Sequence, residues 1–256
     1  MRIALALLCL AVGSQAHALQ CSASSGPHTA ALVELYTSEG CNSCPPADRW
    51  LQSLGARGYA PGRVVPLSLH VNYWDYIGWK DPFAQQRFTD RQRKLAQVMQ
   101  ARVIYTPQVV LQGRDFRRWH SGAFDEALKA INARAPRAKI ELRLEGGRAD
   151  ALLADVKAEL LDPAQAADAA LYLASFENKL VSSVAAGENE GRTLQHDYVV
   201  FEWVGPVSFA DGRIAERRTL PLVPKAIPAH SGVAAFVQNR RTAEVLQALM
   251  LPACGG

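Results

Sequence analysis

The sequence lacks a concentrated charge of either sign. Among its 256 residues, 28 Lys and Arg stand against 24 Asp and Glu, which leaves a formal net charge of +4 at pH 7. The one small basic cluster, at Arg87–Lys94, is typical of the solvated face of a helix rather than of a phosphate-binding surface. We therefore expect no nucleic acid among the partners of this protein.

Long apolar runs are also scarce. Beyond the first residues, no stretch reaches the roughly 18 consecutive apolar residues that a membrane-spanning helix needs. The chain begins with Arg2, an apolar run over Ile3–Val12 and the small-residue sequence Ala16-His17-Ala18, a combination typical of a cleaved signal peptide. We predict a signal peptide over residues 1–18, no membrane insertion of the mature chain, and a periplasmic or secreted location.

Cysteine is rare, with five residues in the chain, and Cys9 belongs to the predicted signal peptide. The four that remain are an even number, and in an oxidising compartment thiols usually pair. Cys41 and Cys44 are close in sequence, which leaves Cys21 and Cys254 in the segments that flank the predicted core. We expect the disulfides Cys41–Cys44 and Cys21–Cys254; for the second pair, two free thiols in the terminal segments are the alternative.

Two patterns of apolar residues divide the rest of the chain. Residues 28–136 alternate strand and helix signals, and the order β-α-β-α-β-α implies parallel strands joined by a right-handed crossover. After Ala135-Pro136 the apolar residues recur at every second position, as at Ile140, Leu142 and Leu144. Short strands with turn residues between them predict an antiparallel β-sandwich-like domain over residues 137–253.

The sequence Cys41-Asn-Ser-Cys44 follows a predicted strand and opens a predicted helix. A helix N-terminus has unpaired N–H groups and a partial positive charge that stabilise a thiolate, which is the nucleophile of disulfide exchange. Cys41 would attack a partner, and Cys44 would resolve the mixed disulfide. The alternatives are a plain stabilising disulfide and half of a zinc site. The zinc site is disfavoured because no second cysteine or histidine pair has ligand spacing.

The segment Val33–Pro45 resembles the active-site segment of the thioredoxin-like superfamily, and Tyr105-Thr106-Pro107 is similar to that superfamily's cis-proline loop. The resemblance implies an α/β thioredoxin-like domain, a βαβαβ unit with the Cys-x-x-Cys pair and a cis Thr106–Pro107 bond. Thr106 and Pro107 would then shape the groove that holds a partner's backbone.

The same resemblance gives Glu34 a candidate role. Thioredoxins place a buried acid before their first cysteine, and Glu34 would correspond to it, although the intervening segment is one residue longer here. Glu34 would then accept the proton of Cys44. The alternative is a partly exposed strand carboxylate.

Nearly the whole mature chain resembles a family of uncharacterised secreted bacterial proteins, the domain-of-unknown-function family DUF1223. The resemblance is carried by Val33–Asp48, His70–Phe83 and Gly187–Leu194. It implies a fold but no activity, because the family has no established reaction. Within the last of these stretches, the segment Gly187–Thr193 is interpreted as a polar turn, either a well-ordered hairpin tip or a ligand contact.

Strands at residues 31–36 and 64–71 should be parallel, so their carboxyl ends would share one edge of a sheet. The aromatic segment after the second strand should then lie near Cys41 and could form a substrate groove, although packing that covers the sheet edge is the alternative. At the end of that strand, His70 is a candidate base or metal ligand, or simply a hydrogen-bonded histidine. The candidate substrate-binding residues are Tyr73, Trp74, Asp75 and Trp79.

Three functional hypotheses follow. The first is an exported thiol–disulfide oxidoreductase without a bound cofactor, whose partners are other exported proteins. The second is a non-catalytic binding module in which the Cys41–Cys44 disulfide is permanent. The third is a copper-handling protein that uses Cys41, Cys44 and His70, since soft thiolates select Cu(I); the sequence has no methionine-rich or second-histidine signal for it, and we predict no metal site.

Overall fold

The computed structural model describes residues 20–145, 150–223 and 226–254. The predicted signal peptide, residues 1–18, lies outside these ranges. No helix within them is long and apolar enough to cross a membrane. The α-helices are Pro45–Ala56 (α1), Gln86–Val98 (α2) and Ala123–Asn132 (α3), with short 3-10 turns at Asp75–Ile77, Pro163–Gln165 and Pro228–His230.

Strands make up most of the regular structure in the described part of the chain. They form an eight-stranded sheet, a four-stranded sheet and a two-stranded hairpin. In chain order they are β1 (Gln20–Ser24), β2 (Ala31–Thr37), β3 (Val64–His70), β4 (Gln108–Leu111), β5 (Arg114–Asp115), β6 (Ala138–Glu145), β7 (Ala151–Leu160), β8 (Ala169–Glu177), β9 (Leu180–Ser183), β10 (Thr193–His196), β11 (Val199–Ser208), β12 (Arg213–Pro221), β13 (Ser231–Asn239) and β14 (Val245–Pro252).

The eight-stranded sheet is mixed, with strand order β14-β13-β8-β11-β3-β2-β4-β5. β2 and β3 are parallel, and their register runs from Ala31 opposite Val64 to Thr37 opposite His70. The predicted parallel pair is therefore confirmed. Because the carboxyl ends of β2 and β3 coincide, the loops that follow Thr37 and His70 leave the sheet at the same edge.

The fold class expected from the sequence is wrong. A βαβαβ thioredoxin-like domain followed by a separate sandwich is not what forms, because strands from both halves of the chain share one sheet. The junction is β11, which pairs in parallel with β3 through Val199 opposite Ser68 and antiparallel with β8. Alternating hydrophobicity specifies which face of a strand is buried, but it does not specify the neighbouring strand. The boundary between residues 136 and 137 stays a prediction.

The second layer is the antiparallel sheet β1-β6-β7-β12. In β6 the buried residues Ile140, Leu142 and Leu144 alternate with exposed charged ones, as the period of two predicts. The buried face packs against β8, β13 and β14 of the large sheet, where Leu173 and Leu249 belong to the same apolar cluster. The two sheets thus share a core that spans distant parts of the sequence.

The helices cover the large sheet on both faces. On one face α1 and α3 pack through Leu51 and Phe124 against Val33 of β2. On the other face α2 packs through Phe88 against Leu32. Since neighbouring residues of a strand point to opposite faces, β2 separates the surroundings of α1 from those of α2.

Cys21 and Cys254 form a disulfide, with their Cα atoms 5.5 Å apart and a sequence separation of 233. Cys21 lies in β1 of the four-stranded sheet, and Cys254 follows β14 of the large sheet. The predicted pairing is confirmed, and the bond connects the edges of the two packed layers.

Replacing both Cys21 and Cys254 by serine should lower the free energy of unfolding by up to about 5 kcal/mol, because the bond closes a very long loop in the unfolded chain. Urea unfolding of the mature chain and of the double variant measures this loss. An unchanged unfolding midpoint would show that the bond does not constrain the unfolded state.

Candidate functional site

Cys41 and Cys44 form a disulfide at the edge where β2 ends, with their Cα atoms 5.5 Å apart. Cys44 is the N-cap of α1, and prolines occupy the first turn, where missing N–H groups have no cost. Both cysteines have 0% exposed surface. The Ser43 hydroxyl lies 3.3 Å from Cys41 Sγ. The disulfide therefore lies at a positive helix end but is covered by other parts of the chain.

A strap, residues 187–192, provides part of this cover. It belongs to the turn between β9 and β10, and it makes up most of the polar segment singled out in the sequence. The Asn189 side chain is fully buried and donates to the carbonyl oxygens of Glu39 and Cys41 at 2.7 and 2.9 Å. Glu188 accepts a hydrogen bond from the Asn42 backbone N–H at 3.0 Å. The strap is thus bonded to the backbone of the loop that carries the disulfide.

The aromatic segment lies against the same loop. A side chain at Gly40 would contact Trp74 Cβ at 3.2 Å, and Trp79 Nε1 donates to Glu39 Oε2 at 2.8 Å. Trp74 Nε1 also donates to Thr106 Oγ1 at 2.7 Å, which connects the segment to the Thr106–Pro107 loop. The Thr106–Pro107 bond is cis.

Tyr73 and Asp75 are the two other candidates from this segment. The Tyr73 hydroxyl is buried and has no hydrogen-bond partner, and burial raises its pKa. The Asp75 carboxylate accepts a weak hydrogen bond from the Asp81 backbone N–H at 3.4 Å. Substrate binding by these residues stays a prediction.

Two buried histidine–carboxylate pairs lie behind the disulfide loop. His70 Nδ1 is 2.7 Å from Asp81 Oδ2, and His196 Nε2 is 3.0 Å from Glu39 Oε1. The two imidazole rings approach each other edge to face, with centroids 5.0 Å apart. The pairs are joined directly, because the Glu39 backbone N–H donates to the Asp81 carboxylate at 2.9 Å.

Asp48 adds a third buried carboxyl group to this cluster. It lies on α1, one turn after Cys44, and only 6% of its surface is exposed. Asp48 Oδ1, His70 Nε2 and His196 Nδ1 are all buried without a hydrogen-bond partner. Unpartnered buried polar atoms are costly, so three of them within one cluster make this part of the core energetically unfavourable.

The pKa values of this cluster differ in direction. Burial raises the pKa of Asp48 above its ordinary range, although the charges of His196 and His70 oppose the change. For His70, burial lowers the pKa, but the Asp81 charge and hydrogen bond outweigh it, so the net shift is upward. For Asp81, burial raises the pKa, but His70 and the backbone N–H donors together lower it by more. The net shift is therefore downward. His70 and Asp81 therefore favour an ion pair, while burial makes the Asp48 carboxylate easier to protonate than an exposed one.

A small cavity connects the cluster with the surface. It has a volume of about 190 Å³ between α1 and β10. Asp48 and His196 line it together with Gln52, Gln195 and other residues of these two elements. The Asp48 side chain therefore borders space that solvent can enter.

Glu34 lies elsewhere. It is fully buried, on the face of β2 that carries α2, and its carboxylate accepts from Arg91 Nε at 2.5 Å and from the Tyr36 hydroxyl at 3.2 Å. Arg91 in turn lies 4.5 Å from the centre of the Trp203 ring. Glu34 belongs to this packed arginine site, and its predicted role toward Cys44 stays a prediction.

His70 was a candidate from the sequence alone, but its partners were not. Asp48 carried a usable signal, because it stands four residues after Cys44 on a helix whose start was predicted. Asn189 lay in the predicted polar turn, but nothing in the sequence indicated that Asn189 or His196 would reach the cysteine loop, since these contacts span more than 140 residues. Across the described ranges, no group of three or more His, Cys, Asp or Glu side chains is arranged to hold a metal ion.

Residues 32–238 match the family described as protein of unknown function (DUF1223). The chain belongs to this family. No curated protein sequence is significantly similar to it. Among solved structures, it is similar to the crystal structure of protein AGR_C_4864 from Agrobacterium tumefaciens, with 25% sequence identity, a TM-score of 0.64, and coverage of 91% of this chain and 98% of that one.

A second similar structure is HBP35 of Porphyromonas gingivalis, with 15% identity and a TM-score of 0.67. The match covers 90% of this chain and 76% of HBP35. At this identity the likeness concerns the fold alone. The DUF1223 match, by contrast, includes both the Cys41–Cys44 loop and the strap that covers it.

Replacing Asn189 by alanine should make the Cys41–Cys44 disulfide react faster with a small thiol reductant. Two hydrogen bonds worth about 1 kcal/mol each hold the strap on the loop, so their loss should raise the reduction rate about tenfold or more. Asn132→Ala is the matched control, since the Asn132 amide also bridges two backbone carbonyls, of Thr29 and Arg63, at 2.9 Å. Equal rates for Asn189→Ala and the wild type would contradict a covering role.

Replacing Asp48 or Asp81 by asparagine should change stability in opposite directions at pH 7. A raised folded pKa means that Asp48 costs stability above its unfolded pKa of about 3.9, so Asp48→Asn should stabilise the protein at pH 7 and have little effect below pH 4. A lowered pKa means that Asp81 contributes stability above that same value. Asp81→Asn should therefore cost about 3–5 kcal/mol at pH 7, because it leaves His70 buried without its partner. Thermal unfolding at both pH values measures this, and shifts of the same sign would contradict the assignment.

Proposed function

We propose that this DUF1223 protein carries out thiol–disulfide exchange at Cys41–Cys44 on the cysteines of other exported proteins, in the periplasm or outside the cell. The observation that carries the proposal is the position of this disulfide. Cys44 is the N-cap residue of α1, and the loop before it contributes Glu39 to a buried cluster of three carboxyl groups and two imidazoles. The resemblance of the Val33–Pro45 segment to thioredoxin-like active sites supports the same chemistry.

The buried cluster supports the proposal that the Cys41–Cys44 disulfide is reactive rather than merely structural. Burying ionisable groups costs several kcal/mol per ion unless each is well paired, and a disulfide staple does not require them. Groups with shifted pKa values and unpartnered polar atoms are typical of sites where protons move. Asp48, His70 and Asp81 have such shifts.

The proposed exchange proceeds in two steps. The Cys41 thiolate attacks one sulfur of a partner's disulfide, forms a mixed disulfide and releases the partner's second sulfur as a thiolate, which takes a proton from water. Cys44 then loses its proton and attacks Cys41 Sγ. This forms the Cys41–Cys44 bond and releases the partner's first sulfur as a thiolate. The partner is reduced by two electrons and the cysteine pair is oxidised by two; the reverse sequence oxidises a partner dithiol.

A second candidate function is a binding module with a permanent Cys41–Cys44 disulfide. Its specific support is the complete burial of both cysteines under the strap. In that case the strap would close the site for good, and the aromatic segment would bind a partner without any covalent step.

Trapping separates these two functions. The mature Cys44→Ser protein, expressed in an exporting bacterial host, should accumulate covalent adducts through Cys41, because no second thiol resolves them. These adducts should disappear on reduction and should be absent from the Cys41→Ser/Cys44→Ser control. Equal adduct levels in the two variants would show that Cys41 does not exchange with partners.

A further inference from the structure

The proton acceptor for Cys44 can be identified from its surroundings. We propose that Asp48 takes up the proton of the Cys44 thiol when the Cys41–Cys44 disulfide forms and returns it when the disulfide is broken. The inference rests on the proposed exchange function, and it assigns the proton chemistry of that site to a carboxyl group that the sequence reasoning did not select.

Helix geometry directs Asp48 toward Cys44. The Asp48 backbone N–H donates to the Cys44 carbonyl oxygen at 3.1 Å, so the two residues are one α-helical turn apart. Residues at i and i+4 lie on one face of a helix, and each Cα–Cβ bond tilts toward the helix N-terminus. The Asp48 side chain therefore leans along α1 toward the turn that begins at Cys44.

Asp48 also has the capacity to accept a proton. It is 6% exposed, and its Oδ1 atom has no hydrogen-bond partner. A carboxylate in this position is poorly solvated, so uptake of a proton relieves part of the cost of its burial. The carboxyl group can thus cycle between its two protonation states as Cys44 cycles between thiol and disulfide.

Four elements place ionisable or polar groups around Asp48. His196 faces it from β10, His70 from the end of β3, and Asp81 from the segment before α2. The Thr37 hydroxyl, at the end of β2, faces it as well. The two imidazoles favour the ionised carboxylate and Asp81 disfavours it, which keeps the two states of Asp48 closer in energy than burial alone would.

The cavity between α1 and β10 gives the proton a way out. Asp48 and His196 both line this space of about 190 Å³, while the cysteines themselves have no exposed surface. In the complete step, Cys44 gives its proton to the Asp48 carboxylate, its sulfur attacks Cys41 Sγ, and the partner's thiolate leaves. Asp48 then loses the proton to water in the cavity.

Glu34 is less suited to this task. It lies on the opposite face of β2 from α1, and the Arg91 guanidinium occupies its carboxylate at 2.5 Å. Protonation of Glu34 would break this buried ion pair, whereas protonation of Asp48 breaks no hydrogen bond to its Oδ1 atom.

The test follows the second step of exchange in the mature protein. Protein reduced at Cys41–Cys44 is mixed with oxidised glutathione, and acid-quenched samples are analysed by mass spectrometry for the Cys41–glutathione mixed disulfide. In Asp48→Asn this species should persist about a hundredfold longer or more than in the wild type at pH 7, in line with the usual contribution of a general base. The difference should shrink above pH 9, because a thiol with a pKa of about 8.5 then ionises without help.

Glu177→Gln is the matched control. Glu177 is 4% exposed and also has a buried carboxylate oxygen without a partner, but it lies in β8 outside the site, so its replacement should leave the lifetime within twofold of wild type. A wild-type lifetime and pH profile in Asp48→Asn would overturn the inference, as would a long lifetime in Glu34→Gln alone. A wild-type protein that never forms the Cys41–glutathione species would instead overturn the exchange function itself, and this inference with it.

Discussion

The parallel pairing of β2 with β3 is the constraint on which the site depends. It sets Thr37 opposite His70, so the loop that carries the cysteines and the loop that follows His70 leave the sheet together. In the two loops beyond this edge, the Glu39 backbone N–H donates to Asp81, and the Trp79 indole N–H donates to Glu39. A shift of one residue in this register would move every side chain of β2 to the other face and would separate the two loops.

The second half of the chain completes this edge. β11 extends the sheet beside β3, and the β9–β10 hairpin crosses over the cysteine loop. From this hairpin, Ser182 and His196 both bond to Glu39, and Asn189 bonds to the loop backbone. The segment after residue 136 therefore contributes side chains to the same sheet edge as the cysteine loop.

Local features of the sequence were sufficient for part of this account. The spacing of Cys41 and Cys44 and the two remaining cysteines led to both disulfides, and alternation in Ile140–Leu144 led to the buried face of β6. The pairing of β11 with β3 had no local signature, because its pattern fits any buried strand. Contacts within the site could be predicted only where they are local. Asp48 could be placed by helix periodicity, but the pairing of His196 with Glu39 depends on a hairpin that folds back across 157 residues.

The central claim, that Cys41–Cys44 is a working redox pair rather than a staple, is tested most directly by its reduction potential. Equilibration of the mature protein with glutathione or dithiothreitol buffers, followed by quantification of the Cys41–Cys44 peptide in both oxidation states, yields this value. We predict a potential between about −120 and −270 mV, the range of known thiol–disulfide oxidoreductases. A value below about −300 mV, typical of structural disulfides, would contradict it.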